Sequence, residues 1–249
     1  MLHIIVLVCI FGFLAAAVDA IAGGGGLISL PALLLAGIPP HLALGTNKFA
    51  STTASFSSSV VFARSGKVHW PLVKWLIPFT FGGASLGVLT VLKTSPEMLN
   101  KAVPVLMLGI GVFTVCQKNF GLVDKFAGHT RRTVAIGAVF AFVLGFYDGF
   151  FGPGTGSFLI FAFTMLGFNF LAASANAKVL NFTSNLASLI LFAWNGKIAF
   201  YYGIPMAVFM IIGSFAGSKL AIWRGAKFVK PIFLIMSIAV AVKLIYQAI

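Results

Sequence analysis

The sequence predicts an all-α integral membrane protein. It has two homologous halves in an inverted repeat, with Gly-broken helices meeting near the bilayer midplane. Three observations predict this. Hydrophobic residues make up 60% of the 249 positions and charged residues only 8%, with a mean hydropathy of +1.06; a soluble domain carries about a quarter charged residues. Apolar stretches recur at 2–18, 72–92, 102–116, 133–147, 170–194, 198–223 and 228–248, and each reads as a membrane-crossing helix. The same polar pattern is also written twice: an Asp, a glycine cluster, then a lone Lys in an apolar setting.

The first copy begins with the N-terminal run. That run lacks a positively charged start and leads directly into Asp19, so it reads as a first membrane helix rather than a removable signal peptide. Gly23, Gly24, Gly25 and Gly26 then interrupt it. In hydrocarbon every backbone N–H and C=O must be paired, so such a stretch belongs against protein or a wet cavity. The second copy runs Asp148, Gly152, Pro153, Gly154, Thr155 and Gly156, where Pro153 also removes a donor. Short segments follow each break, at 27–36 and 157–166. At ~1.5 Å per residue each reaches about half the membrane. Their N-termini offer free N–H groups and the positive end of a helix dipole. Two such ends meeting near the midplane make an anion site.

Next come Thr46-Asn47-Lys48 and Asn176-Ala177-Lys178. A Lys at the centre of a membrane helix costs roughly 2.5–3.5 kcal/mol on insertion scales. Two at repeat-equivalent positions imply a use for the charge, against the alternatives of snorkelling or pairing with Asp19 and Asp148. The two aspartates are either proton carriers or caps for the interrupted backbone. A polar lining follows: Ser51, Thr52, Thr53, Ser55, Ser57 and Ser58 in one copy, and Asn181, Thr183, Ser184, Asn185 and Ser188 in the other. Asn181 and Asn185 are spaced i, i+4 and share one helical face, which favours them for the lining of a pathway. Gly83/Gly87 and Gly213/Gly217 are small-residue steps suited to helix packing.

Asp148 stands 129 positions after Asp19, as do Gly152 and Gly154 after Gly23 and Gly25; the offset then becomes 130 for Lys178 after Lys48 and Gly213 after Gly83. The chain therefore divides at about 1–125 and 126–249, two repeats within one membrane domain. The loop near Gly66 and the polar loop 117–132 lie two helices apart and are both basic, which puts them in the cytoplasm. In the second half the strongly basic loop is 224–230 instead. The bias has swapped sides, as an inverted repeat requires. Each half then crosses an odd number of times, and both termini lie outside. A bacterial inner membrane is the expected location.

The net charge of +13 does not point to nucleic acid, because its Lys and Arg sit in short loops rather than on a folded basic face. Cys9 and Cys116 lie in apolar stretches without metal-ligand spacing. His3, His41, His69 and His129 are scattered, so neither a metal nor a cofactor is expected, and no catalytic residues are legible. The glycines lack the order and the preceding strand of a dinucleotide fold.

The run Asp-Ala-Ile-Ala-Gly-Gly-Gly-Gly-Leu-Ile-Ser-Leu-Pro at 19–31, followed by Gly-Thr-Asn-Lys at 45–48, resembles the signature of the sulfite exporter TauE/SafE family. The glycines at 152–156 with Asn-Ala-Lys at 176–178 resemble its second copy. The resemblance covers essentially the whole chain. It implies a secondary transporter of small anions, commonly sulfur-containing ones such as sulfite or organosulfonates, working by alternating access. Its partners are then an anionic substrate, the lipid bilayer and a proton or cation as possible co-substrate. The second copy departs at Asn176 and Ala177, so the halves need not contribute equally. The expected substrate-binding set is Gly23–Gly26, Thr46, Asn47, Lys48, Gly152, Gly154, Thr155, Gly156, Asn176, Lys178, Asn181 and Asn185. Asp19 and Asp148 are candidates for proton coupling. An anion channel is the competing reading. An inside-negative potential drives an unaccompanied monoanion outward by ~2.3 kcal/mol per 100 mV, so export is the expected direction for a simple carrier.

Overall fold

The structure is a computed structural model describing residues 2–99, 126, 128 and 130–225. Among these residues it is all-helical, in two sets of four. The first set is α1 (Leu2–Ala22), α2 (Gly26–Leu35), α3 (Pro40–Arg64) and α4 (Trp70–Leu92). The second is α5 (Arg131–Phe150), α6 (Thr155–Met165), α7 (Phe170–Trp194) and α8 (Phe200–Arg224). Local chemistry starts several of them. Pro40 opens α3 at a position where its missing N–H costs nothing. Thr130 Oγ1 accepts from Thr133 N at 3.1 Å to cap α5, and Asn169 Oδ1 accepts from Ala172 N at 2.9 Å to cap α7.

Among the described residues, four helices are long and apolar enough to cross a membrane: His3–Ala22, Trp70–Leu92, Arg131–Phe150 and Phe200–Arg224. Their outer faces carry exposed apolar side chains, among them Val6, Ile10, Leu86, Val139, Val208 and Ile212. Trp70, Trp194 and Trp223, at or beside helix ends, are also exposed, as suits the water–lipid boundary. The expected span at 170–194 is indeed a helix, α7, and α3 matches its 25-residue length. Neither is among the apolar spans, because each turns a polar stripe inward. Thr46, Asn47, Lys48, Ser55 and Ser58 on α3 are buried, as are Asn176, Lys178, Asn181 and Asn185 on α7. The expected spans at 102–116 and 228–248 lie outside the described residues. So do Cys116, His129 and the loop lysines Lys118, Lys125, Lys227 and Lys230.

The two sets are interlaced. α1 packs along α8, α4 packs along α5, and α3 and α7 run against each other in the middle. The small-residue steps make the first two contacts possible. A Cβ at Gly83 or Gly87 would run into the α5 backbone at Phe142 and Phe146, and one at Gly213 or Gly217 into the α1 backbone at Phe13 and Ala17. These are helix-packing surfaces, as expected from their spacing. Both apolar core clusters draw on both sets: one joins Leu30 and Val88 to Phe192 and Met206, the other joins Phe62 and Leu72 to Ile160 and Leu180.

Candidate functional site

α1 ends at Ala22 and α2 begins at Gly26, with Gly23 and Gly24 at φ +76° and +84°. α5 ends at Phe150 and α6 begins at Thr155, with Gly152 and Gly154 at φ +96° and +86°. Residues with a Cβ rarely adopt these conformations. The two interruptions touch. A Cβ on Gly23 would strike the backbone of Gly156 and Ser157, and one on Gly26 would meet Pro153 at 2.9 Å. Only glycine lets the chain segments approach this closely.

The loosened backbone is held by side chains. Asp19 Oδ1 accepts from Gly25 N at 3.1 Å. Tyr147 donates its hydroxyl to Pro153 O at 2.5 Å. Ser157 Oγ donates to Ala22 O at 3.3 Å, and Ser174 Oγ lies 3.4 Å from Ile21 O, so carbonyls at the end of α1 are met from the second set.

The four charges form two crossed ion pairs. Lys48 Nζ on α3 lies 2.7 Å from Asp148 Oδ2 on α5, and Lys178 Nζ on α7 lies 2.6 Å from Asp19 Oδ2 on α1. Each lysine thus reaches the aspartate of the other set. Two of the chain's four acidic residues are used here. Lys48 also donates to Asn185 Oδ1 at 3.1 Å, and Asn185 Nδ2 donates to Asn181 Oδ1. The Lys48–Asp148 contact is close but off the hydrogen-bond direction, and Asp148 Oδ2 has no hydrogen-bond donor.

Between the pairs lies a narrow polar cavity of ≈ 30 Å³. Of the expected residues, Asp19, Gly25, Gly26, Asn47, Lys48, Asp148, Gly152, Gly154, Gly156, Asn181 and Asn185 line it, together with Ser51. Asn47 is oriented by Ser29, whose hydroxyl donates to Asn47 Oδ1 at 2.7 Å. Gly23, Gly24, Thr155 and Lys178 stand behind this lining. Lys178 is fully buried, with Asp19 between it and the cavity.

Thr46 and Asn176 serve elsewhere. Thr46 Oγ1 accepts from Ala199 N at 2.9 Å, and Asn176 Oδ1 accepts from His69 N at 2.7 Å. Ala199 and His69 are the residues that precede α8 and α4. Each side chain therefore holds the start of a helix in the opposite set. Of the expected polar lining, Thr52, Ser55, Ser58, Thr183, Ser184 and Ser188 donate to carbonyls of their own helices.

Ser29, Ser157, Ser174 and Tyr147 were not legible as site residues. The last carried a signal: a tyrosine beside an aspartate within an apolar run. The serines carried none, because their partners lie on distant segments.

The family model described as sulfite exporter TauE/SafE matches residues 8–244. A probable membrane transporter protein of Haemophilus influenzae is 40% identical over 243 residues, covering 97% of this chain and 94% of that protein. Probable membrane transporter protein YfcA of Escherichia coli K12 is 39% identical over 240 residues, covering 94% and 87%. Probable membrane transporter protein ORF9 of a Sinorhizobium species is 37% identical over 245 residues, covering 98% and 93%. No solved structure matches the chain significantly. With a family match across nearly the whole chain, four apolar spans and charged residues buried between them, this is a multi-pass membrane transporter that belongs to the sulfite exporter TauE/SafE family.

Proposed function

We propose that the chain is a secondary carrier of small anions, sulfur-containing ones such as sulfite or organosulfonates, and that the cavity is its binding site. The observation that carries this is Lys48, a buried ammonium lining a cavity between two helix starts. Gly25 and Gly154 immediately precede α2 and α6 and also line the cavity, so the positive dipole ends of both helices lie beside it, although the Gly25, Leu27 and Thr155 N–H groups are already taken by Asp19 Oδ1, Gly24 O and Gly152 O. Asn47, Asn181 and Asn185 add neutral polar groups. A compact anion finds one cation, oriented amides and backbone donors there; a cation finds two carboxylates that already hold lysines. The halves 1–125 and 126–249 act as inverted repeats that rock about this point, with the interrupted helices meeting near the midplane and both termini outside a bacterial inner membrane.

The test is flux into proteoliposomes with a panel of sulfite, sulfate, thiosulfate and small sulfonates. Saturable, counter-exchangeable uptake of at least one sulfur anion is expected. Absence of flux for the whole panel overturns the reading, and flux that neither saturates nor exchanges replaces the carrier with a channel. A C-terminal reporter active only in the cytoplasm is expected to stay silent; a bright signal overturns the inverted topology.

A further inference from the structure

The four charged side chains in and directly behind the cavity wall sum to zero: Lys48 and Lys178 against Asp19 and Asp148. An anion entering this site brings a charge that nothing balances, in surroundings where an unpaired charge is costly. Resting on the reading of the cavity as an anion site, we infer that Asp148 takes up one proton as the anion binds, handing the Lys48 ammonium to the substrate, while Asp19 stays ionised.

The two aspartates are built differently. Asp19 is held through both oxygens, Oδ1 by the Gly25 N–H at 3.1 Å and Oδ2 by Lys178 at 2.6 Å. Neutralising it would strand Lys178, whose side chain has 0% exposure and no place in the cavity wall. Asp148 has no hydrogen bond at Oδ2; what faces that oxygen is the Lys48 ammonium at 2.7 Å, and the oxygen becomes open to a proton once Lys48 turns to the anion. Its partner Lys48 lines the cavity and keeps Asn185 as an acceptor at 3.1 Å. Lys48 is therefore the one ammonium of the two that a ligand can share.

The surroundings of Asp148 are sparse in charge. α3 presents Lys48, α1 presents Asp19 across the cavity, and α7 presents Asn181 and Asn185, with Lys178 turned to Asp19. α6 carries no charged residue. α4 meets this part of α5 through the backbone of Thr80 and Ala84. Tyr147, next along α5, has its hydroxyl proton committed to Pro153 O.

The step is a proton delivered from the aqueous phase as hydronium, whose O–H bond breaks to leave water as the O–H bond of the Asp148 carboxyl forms. No other bond changes, and the proton leaves when the anion does. One proton then accompanies each monoanion and the loaded cycle is electroneutral. The membrane potential no longer expels the substrate; the anion gradient and the pH gradient set the direction together.

The experiment uses the full chain in proteoliposomes, with potential and pH gradient clamped separately. The probe is radiolabelled methanesulfonate, a monoanion throughout the pH range, with the other panel sulfonates alongside. Expected are uptake driven by an inward proton gradient at zero potential, no uptake driven by potential at equal pH, and one proton entering per anion. Asp148→Asn is expected to lose gradient-driven accumulation while still exchanging labelled for unlabelled probe, and Asp148→Glu to retain accumulation. Potential-driven uptake at equal pH overturns the inference, as does pH-driven accumulation surviving in Asp148→Asn. Both leave the anion reading standing. If Asp148→Asn does not fold, the proton count of the unaltered protein decides alone. If no anion of the panel moves or exchanges, the anion reading itself falls and this inference with it.

Discussion

The two lysine–aspartate pairs are built from corresponding positions, yet they face the cavity in opposite ways. In one, both partners line the wall, and Lys48 divides itself between Asp148 and Asn185. In the other, Asp19 alone reaches the wall, 23% exposed, and Lys178 is sealed behind it. The neighbours differ as well: Asn181 and Asn185 stand where the first half has Ser51 and Ser55. Ser55 turns its hydroxyl back to its own helix at Ser51 O, 2.6 Å away, whereas Asn185 is long enough to reach Lys48. The comparison teaches that residues of the same type at matching places can be held differently. One pair faces the cavity, the proposed working surface, and the other anchors the interrupted backbone of α1.

The largest expected effect tests the anchor. Asp19→Asn leaves a fully buried lysine without its partner, a loss of about 3–5 kcal/mol, and should sharply lower the thermal midpoint in detergent. Asp148→Asn should lower it much less, because Lys48 keeps Asn185 and the cavity. Removing both members in Asp19→Asn, Lys178→Met should recover much of the loss. Equal shifts for the two Asp variants would break the comparison.

The working surface is tested by charge. Lys48→Met removes the cation offered to the anion, worth ~1.5–3 kcal/mol as a charged hydrogen bond, so the transport KM should rise about 10- to 100-fold. Lys178→Met should reduce the yield of folded protein and leave the KM of the surviving fraction close to that of the unaltered chain. A similar KM rise in both variants would make the pairs equivalent after all.

Glycine substitutions sharpen the geometry. A Cβ at Gly25 would collide with Ala15 O and the Asp19 side chain, so Gly25→Leu should abolish flux and disturb the anchor together. Gly154, at φ +86°, carries a left-handed penalty of roughly 1–2 kcal/mol for any L side chain. Gly154→Leu should block the cavity at this smaller cost in stability.

The smallest effect concerns the residues that left the site. Thr46→Val and Asn176→Leu should each cost ~1 kcal/mol by releasing a backbone amide before a helix. Flux measured as KM should barely move, since neither side chain lines the cavity. A large KM change with an unshifted thermal midpoint would return them to the binding set.

Both lysines, both aspartates and both glycine clusters stand out from spacing, because charge and loosened backbone are costly in hydrocarbon, and the structure brings them together. The i, i+4 spacing of Asn181 and Asn185 likewise gave their common face, and both line the cavity. What spacing could not give was the crossing of the pairs. Pairing Lys48 with Asp148 rather than Asp19 depends on how α4 and α8 fold back onto the opposite set, and that is decided by glycine contacts far along the chain. Thr46 and Asn176 read as ligand groups because they precede the lysines. Their oxygens are instead taken by backbone amides of segments more than a hundred positions away. The polarity of α3 misled in the other direction: its low apolar content kept a 25-residue helix, as long as α7, out of the expected spans.

The crossed packing also bears on how such a chain could have arisen and how it must be made. The first four helices contain Asp19 and Lys48 but no partner for either, and the last four contain Asp148 and Lys178 in the same condition. Either set of four helices alone would carry one lysine and one aspartate without the partners they meet in the full fold. On the proposed reading of the halves as an inverted repeat, a half-length ancestor would work only as a pair of antiparallel copies, each completing the other. The same dependence reaches into synthesis: Lys48 is made 100 residues before its partner Asp148.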